Sequence, residues 1–198
     1  MKNPFDPGYY GSEELRAFGF KSVGENVSIA RNCTIIGLHN ISIGNNVRID
    51  GYTAIIATTG QVSVGNYSHI GGGCHFSAAE DLTFGDFGGT SQGVRIYTAS
   101  DDYTGRALMG PMVPEHCRRV QRGPVVLGRY AVLGSGTVVL PGVTIGEGSV
   151  VGAQSLVTKS LDPWGVYFGS PVKRLKARSR ALLAHEAALL GKDKAHAV

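Results

Sequence analysis

The sequence predicts an all-β solenoid, a fold in which short strands wind into stacked coils with three flat sides. The first observation is a six-residue repeat over residues 21–163, where an aliphatic residue is usually followed by glycine and then by four polar or small residues. The second is the glycine content, 29 of 198 residues, which is about twice average usage. A period of six residues matches neither a helix face nor an alternating strand. It does match a coil that turns one aliphatic residue inward on each side.

The repeat divides the chain into coils of three units each. Four coils precede a long interruption, and two more run without insertion over residues 127–144 and 145–162. The units of the first four coils begin at Val23, Ile29, Ile35, Ile43, Ile49, Ile55, Val64, Ile70, Phe76, Phe84, Thr90 and Ile96. Because the first position is aliphatic and the fifth is small or aliphatic, both are predicted to face a packed core. Glycine at the second position is predicted to supply the positive φ of tight corners.

Three segments lie outside these coils. The N-terminal extension is predicted to contain a short helix at residues 12–16. A polar loop, residues 98–124, interrupts the solenoid, and loops of that length are usually functional. The pattern over residues 172–190 predicts an amphipathic helix that caps the open end of the solenoid. The predicted domain ranges are 1–20 for the extension, 21–168 for the β-helix and 169–198 for a C-terminal cofactor-binding segment with its helix.

The unbroken hexapeptides and the closing segment, residues 152–176, resemble the hexapeptide-repeat acyltransferases. The resemblance covers residues 21–176 and implies a left-handed parallel β-helix. Left-handed crossovers depart from the usual rule for parallel strands, so the handedness comes from the resemblance alone. The resemblance further implies a homotrimer, acetyl-coenzyme A (acetyl-CoA) as the acyl donor in the groove between subunits, and a sugar or nucleotide-sugar acceptor.

The closing segment is similar to the cofactor-binding end of the galactoside, maltose and xenobiotic acetyltransferases. By that match the donor-binding residues are Ser135, Ala153, Thr158, Lys159, Lys173 and Lys176. The first four would line the path of the pantetheine and pyrophosphate. Lys173 and Lys176 would face the nucleotide phosphates as point charges, since lysine lacks the bidentate fork of arginine. A solvated basic segment is the alternative interpretation of these two lysines.

The group that takes the proton is where the sequence departs from these relatives. Galactoside-type enzymes carry a His-Pro pair at the start of the long loop, where this chain has Ser100-Asp101-Asp102-Tyr103, and no His-Pro pair occurs anywhere in it. We therefore predict Asp101 as a catalytic carboxylate and Asp102 and Tyr103 as acceptor-binding residues. An ordinary turn is the alternative interpretation.

Two outward-facing histidines are further catalytic candidates, His69 and His75, each at the sixth position of its unit. Residues 67–70 resemble the Phe-Ser-His-Val stretch of amino-sugar N-acetyltransferases, in which the histidine lies at the cofactor end of the active site. The catalytic histidine that those enzymes carry one coil side earlier falls near residues 57–58 here and is absent. His116, inside the long loop, is predicted to bind the acceptor.

Three functions remain open on these residues. The first is an acetyltransferase that moves acetyl from acetyl-CoA to a sugar hydroxyl in the biosynthesis of surface polysaccharide (O-antigen or capsule). The second is an N-acetyltransferase of a nucleotide-linked amino sugar, because a neutral amine attacks without the strong base that a hydroxyl needs. The third is a solenoid that is not a transferase, either a scaffold or a zinc-dependent enzyme like carbonic anhydrase.

Composition bears on compartment and partners. No His and Cys cluster has metal-ligand spacing, so no metal is predicted. The three cysteines, Cys33, Cys74 and Cys117, lack paired spacing and predict reduced thiols in a cytoplasmic protein. No signal peptide and no apolar run of about 20 residues is present, so no membrane span is predicted. The net charge of +4 suits an anionic ligand, and no nucleic-acid partner is predicted.

Overall fold

The computed structural model describes residues 3–195, and residues 1–2 and 196–198 of the predicted terminal segments lie outside the described residues. Strands of successive coils pair in parallel and build three long sheets. The predicted all-β solenoid of hexapeptide repeats is therefore confirmed.

In chain order the strands are β1 (Tyr9–Gly11), β2 (Ser22–Val23), β3 (Val27–Ala30), β4 (Thr34–Ile36), β5 (Ile41–Ile43), β6 (Val47–Ile49), β7 (Ala54–Ile56), β8 (Val62–Val64), β9 (His69–Ile70), β10 (His75–Ser77), β11 (Leu82–Phe84), β12 (Gly89–Thr90), β13 (Arg95–Tyr97), β14 (Ala99–Asp101), β15 (Val120–Arg122), β16 (Val125–Leu127), β17 (Val132–Leu133), β18 (Val138–Val139), β19 (Thr144–Ile145), β20 (Val150–Val151), β21 (Leu156–Val157), β22 (Gly165–Gly169) and β23 (Val172–Ala177). The helices are α1 (Ser12–Arg16) and α2 (Leu182–Ala195), and single 3-10 turns span Leu38–Asn40 and Glu115–Cys117.

The three sides of each coil form three sheets. Sheet I has nine strands in the order β1-β3-β6-β9-β12-β17-β20-β22-β23. Sheet II has the order β4-β7-β10-β13-β18-β21, and sheet III the order β2-β5-β8-β11-β16-β19. Equivalent positions of neighbouring coils stand opposite each other, as Ile49 opposite Ile70 shows. Aliphatic residues of the repeat therefore stack in columns.

The core lies inside the prism, as the repeat predicted. First-position residues such as Ile55, Phe76 and Ile96 are fully buried. At the fifth position, Thr53 and Thr137 are fully buried as well, and their hydroxyls donate to backbone carbonyls of the next coil. Both inward positions are thus filled, and the interior is packed rather than open.

Glycine at the second position serves a different purpose from the predicted one. A Cβ at Gly24 would lie 2.5 Å from the Gly44 carbonyl oxygen, and one at Gly128 would lie 2.7 Å from the Glu147 backbone nitrogen. These glycines are needed because the next coil passes too close for any side chain. The positive φ falls two residues later, for example at Asn46 (φ 56°). The prediction of positive φ at position two was wrong.

Five of the positive-φ residues are aromatic, and four of them share one corner of the prism: Tyr67, Phe87, Tyr130 and Trp164, with φ between 53° and 59°. A left-handed backbone costs such a residue roughly 1–2 kcal/mol. Their rings form a continuous stack along one corner, with neighbouring centroids 4.7, 5.7 and 6.0 Å apart. Aromatic pairs contribute about 0.5–1.5 kcal/mol beyond burial, so stacking together with burial offsets the backbone strain.

The N-terminal extension closes the first coil. Strand β1 pairs antiparallel with β3, and the predicted short helix is present as α1. Leu15 of α1 is 1% exposed and joins the core. The extension therefore covers the first end of the prism and brings Tyr9 onto the outer side of sheet I.

The C-terminal segment differs from the sequence prediction. Residues 172–177 form β23 rather than the start of a helix, and they pair antiparallel with β22. The open edge of β22 supplies backbone partners that a helix there would leave unpaired, so tertiary pairing overrides the helical pattern. The helix begins only at Leu182, and its Glu186 accepts hydrogen bonds from Arg129 and Tyr130.

The long loop leaves the solenoid after sheet II, as predicted. Its ends form an antiparallel pair, β14 with β15, and the chain re-enters the coils at β16. The hairpin thus fixes both ends of the insertion against the last coils. Neither helix of the described chain is long and apolar enough to cross a membrane.

Candidate active site

A cleft at the base of the long loop brings several predicted residues together. We call it the loop cleft. It measures about 1110 Å³, and its lining includes Tyr97, Asp101, Tyr103, Leu140 and Thr158. Asp102 also belongs to its wall. The structure therefore places the predicted catalytic carboxylate beside Thr158, a predicted donor-binding residue.

Asp101 is the last residue of β14 and is half-buried. Its Oδ2 accepts a hydrogen bond from the backbone N–H of Gly110 at 3.2 Å. Among the side chains and backbone of residues 3–191, its Oδ1 has no hydrogen-bond partner. The hairpin therefore holds this carboxylate in place and leaves one oxygen available to a ligand in the cleft.

Asp102 is used differently. Its Oδ1 accepts hydrogen bonds from the Thr104 hydroxyl at 2.6 Å and the Thr104 backbone N–H at 2.9 Å. These two bonds lower the Asp102 pKa, so the group is held as an anion by its own turn. This arrangement supports the turn interpretation for Asp102, and it leaves Asp101 as the better placed of the two carboxylates.

The other loop-side candidates do not line the loop cleft. His75 projects from sheet II, where its ring centroid is 5.9 Å from that of Tyr97. His116 is exposed in the 3-10 turn Glu115–Cys117. Neither histidine is among the described residues that line the loop cleft.

His69 lies on sheet I, in a hydrogen-bonded cluster that the sequence did not reveal. Its Nε2 is 2.8 Å from Asp50 Oδ2. The hydroxyl of Tyr9 and the Nε–H of Arg48 both donate to Asp50 Oδ1, at 2.9 and 2.7 Å. Burial raises the Asp50 pKa, but the hydrogen bonds from His69, Arg48 and Tyr9 outweigh it and leave the pKa lowered. Asp50 is therefore an anion that fixes two basic side chains.

Part of this cluster could have been found from the repeat. Arg48 and His69 occupy the same position of consecutive coils and are register partners, so the periodicity alone sets them side by side. Tyr9 could not have been found, because it belongs to the extension outside the repeat and is 41 residues from Asp50 in sequence.

The predicted donor-binding residues fall in three places. Ser135 and Ala153 lie on one corner of neighbouring coils, where the backbone N–H of Gln154 donates to the Ser135 carbonyl at 2.8 Å. Thr158 and Lys159 lie on the next corner. A third group, Lys173 and Lys176 on β23, projects from the end of sheet I with both side chains exposed.

No group of three or more His, Cys, Asp or Glu side chains that could hold a metal ion occurs among residues 3–191. Cys33, Cys74 and Cys117 are free thiols, and burial raises the pKa of the first two. The titratable side chains of interest are therefore those of the loop cleft and of the Asp50 cluster.

The fold and the repeat define the class of protein. The sequence profile described as "Bacterial transferase hexapeptide (six repeats)" matches residues 124–159. The dTDP-4-amino-4,6-dideoxy-D-glucose acyltransferase of Escherichia coli is 36% identical over 178 residues, which cover 90% of this chain and 93% of the relative. The chain belongs to the hexapeptide-repeat acyltransferases, and it is an acyltransferase.

Two solved acyltransferase structures are similar to this chain in sequence and fold. AntD, an N-acyltransferase from Bacillus cereus in complex with dTDP and 3-hydroxybutyryl-CoA, is 40% identical, with a TM-score of 0.90 over 94% of this chain and 98% of AntD. A maltose O-acetyltransferase from Clostridium difficile 630 is 25% identical, with a TM-score of 0.57 over 85% of this chain and 74% of that enzyme. The AntD complexes contain coenzyme A, in agreement with the predicted kind of donor.

Proposed function

We propose that this protein transfers an acyl group from acyl-CoA to the amino group of a nucleotide-linked amino sugar. The observation that carries the proposal is similarity along nearly the whole chain to two acyltransferases associated with one acceptor. The E. coli relative is named for dTDP-4-amino-4,6-dideoxy-D-glucose, and AntD variants were crystallised with dTDP-4-amino-4,6-dideoxyglucose and coenzyme A. Among the functions predicted from the sequence, we therefore favour N-acylation over O-acetylation.

The AntD variants also support the choice of Asp101. They carry substitutions at a serine and at an aspartate ten residues further along the chain. Ser91 and Asp101 are the only serine and aspartate with that spacing and order in this sequence. Asp101 is thus favoured by its free oxygen in the loop cleft and by this spacing.

We assign the proposed steps as follows. The neutral amine attacks the thioester carbon, the C–N bond forms, and the C–S bond then breaks to release coenzyme A. Asp101 Oδ1 accepts a hydrogen bond from the amine and takes the proton that the nitrogen loses. That proton is passed on to the departing thiolate, so the products are an amide and a thiol. A backbone N–H in the groove stabilises the negative charge on the carbonyl oxygen.

The wild-type enzyme tests this proposal directly. Release of free thiol from acetyl-CoA and from 3-hydroxybutyryl-CoA is measured with dTDP-4-amino-4,6-dideoxyglucose as the acceptor. We expect saturable release that depends on the acceptor, with an amide product identified by NMR. Thiol release that occurs only with sugars lacking the amino group would overturn the proposal in favour of O-acetylation.

We further propose a homotrimer in which sheets I and II face neighbouring subunits. Outward residues of sheet III are mostly small and polar (Ser42, Ser63, Thr83 and Thr144), with Val126 as the apolar exception. Sheet II instead presents apolar residues such as Ile36, which is 47% exposed. Packing two sides of each prism about a three-fold axis covers the apolar residues of sheet II and those of sheet I from Val132 onward, and it closes the assembly. Sedimentation equilibrium is expected to give the trimer mass, and a stable monomer at micromolar concentration would contradict this arrangement.

Replacing Lys173 and Lys176 together by alanine is expected to weaken coenzyme A binding about tenfold, or ~1.4 kcal/mol. Both side chains are exposed on β23, so they are available to phosphate oxygens and their loss does not disturb the core. Calorimetric titration with coenzyme A measures the effect. Lys21→Ala, at the opposite end of the solenoid, is the matched control, and equal affinity in the double variant and the control would place the phosphates elsewhere.

We propose a cytoplasmic location because the donor, acyl-CoA, is a cytoplasmic metabolite class. We also propose a role in the biosynthesis of surface polysaccharide, because the proposed acceptor is a sugar. The putative colanic acid biosynthesis acetyltransferase WcaF of E. coli, which is 29% identical over 144 residues, supports this role.

A further inference from the structure

The outward column of sheet I changes in character along the solenoid. Ser28, Arg48, His69 and Gly89 occupy one column, because each is the register partner of the next. The column then continues with Val132. Its polar stretch lies in an open groove of about 650 Å³, which we call the sheet I groove. The proposed mechanism at the loop cleft does not use this groove.

Two nitrogens in the groove, one of Arg48 and one of His69, are left without a hydrogen-bond partner among the described side chains. Arg48 uses its Nε on Asp50 and its Nη2 on the Tyr9 hydroxyl, at 2.7 and 2.8 Å. Its Nη1 has no partner within residues 3–191, whose side chains the structure describes, and neither has His69 Nδ1. The two side chains are 60% and 56% exposed, whereas that of Asp50 is only 21% exposed. The free nitrogens therefore face the groove opening while their anchor lies beneath them.

Asp50 orients the side chains of Arg48 and His69. Its Oδ1 is occupied by Tyr9 and Arg48 and its Oδ2 by His69. With both oxygens engaged, the carboxylate holds the guanidinium and the imidazole in fixed positions. When the Nε2–H of His69 donates to Asp50, Nδ1 is the ring nitrogen left for a ligand. The cluster thereby holds a guanidinium N–H and a ring nitrogen in preset positions.

We propose that the sheet I groove binds the diphosphate of the nucleotide-linked acceptor, with Arg48 and His69 donating to the phosphate oxygens. This inference rests on the proposed function and assigns the part of the substrate distant from the reacting amine. Arg48 and His69 stand on adjacent parallel strands, roughly 4.8 Å apart, which suits two linked phosphates. Beyond His69 the column holds Gly89, which is buried and lies outside the groove lining.

A purely structural role for the cluster fits the exposure poorly. In one protomer these basic side chains are more than half exposed, and exposed ion pairs contribute little stability. A role of His69 as the general base is the other alternative. It predicts loss of kcat, whereas a binding role predicts a raised KM for the nucleotide sugar.

The test uses dTDP as the probe in calorimetric titrations of the intact protein. Arg48→Gln is compared with wild type and with Arg31→Gln, which also removes one positive charge and one ion pair to a carboxylate but lies outside the groove lining. We expect Arg48→Gln to weaken dTDP binding at least tenfold, to leave coenzyme A binding unchanged and to melt within a few degrees of wild type. Arg31→Gln should bind dTDP as wild type does.

Kinetics and a second probe separate the outcomes. His69→Gln is expected to raise KM for the nucleotide sugar about tenfold with kcat within threefold, and inorganic pyrophosphate is expected to compete with dTDP in wild type only. Unchanged dTDP affinity in Arg48→Gln, or a loss confined to kcat in His69→Gln, would overturn the inference while turnover of the amino sugar still supports the proposed function. If wild type does not acylate the amino sugar yet binds dTDP through Arg48, the proposed reaction fails and the diphosphate site stands.

Discussion

Asp101→Asn is expected to lower kcat on the amino-sugar acceptor about 100-fold, within the usual contribution of a positioned proton acceptor. Asparagine retains the size of the side chain and an oxygen that accepts the Gly110 N–H, which Asp101 accepts at 3.2 Å. It cannot take a proton from the attacking nitrogen. KM for acyl-CoA should change little, because the free oxygen of Asp101 faces the acceptor in the proposed arrangement. Steady-state kinetics with both substrates varied measures the two effects.

Asp81→Asn is the control for this substitution. Asp81 is exposed, and it accepts the Gln61 backbone N–H at 2.9 Å. Its variant therefore loses a carboxylate that does not line the loop cleft. The loss in Asp101→Asn should also shrink as pH rises, since a larger fraction of the amine is then neutral without help. Full activity of Asp101→Asn at neutral pH would remove Asp101 from the proposed mechanism.

Phe76→Ala is expected to destabilise the protein by about 3–5 kcal/mol, the usual cost of emptying a buried aromatic site. Phe76 is 0% exposed at the centre of the prism, and its ring lies 5.3 Å from that of Phe84. Coils pack above and below it, so the cavity cannot close without shifting their backbone pairing. Denaturant unfolding at one fixed protein concentration measures the change, because subunit association makes apparent stability depend on concentration.

Phe5→Ala is the matched control, since the Phe5 side chain is 91% exposed. It should change the free energy of unfolding by no more than about 0.5 kcal/mol. Equal stability of the two variants would show that the column of first-position residues does not carry the fold.

The repeat predicted the solenoid well because its signal is local and recurs in every coil. Once the inward positions are known, the register of Ile49 with Ile70 follows without further information. The same logic could have paired Arg48 with His69. The repeat could not predict the row of aromatic rings at one corner. A left-handed conformation is unusual for residues such as Tyr67 and Phe87, and it is explained only by the packing of their rings in the folded structure.

The features that the sequence did not predict depend on contacts between residues far apart in the chain. The residues of β23 were predicted to be helical because Val172 and Leu175 are three residues apart, a spacing that a helix also has. They form a strand because they pair with the free edge of β22. Tyr9 reaches Asp50 across 41 residues through an extension outside the repeat. Asp101 was predicted from its position after the fourth coil, whereas the difference between Asp101 and Asp102 required the hydrogen bonds of the loop.

The central claim is that the acceptor nucleophile is an amine. It is tested most directly by competition between equal amounts of dTDP-4-amino-4,6-dideoxyglucose and its 4-hydroxy counterpart, with acetyl-CoA as donor and the products separated and weighed by mass spectrometry. The account predicts acylation of the amine with a preference of about 100-fold or more in kcat/KM, because the hydroxyl needs far stronger base assistance at the loop cleft. Acylation of the hydroxyl compound at an equal or higher rate would contradict it.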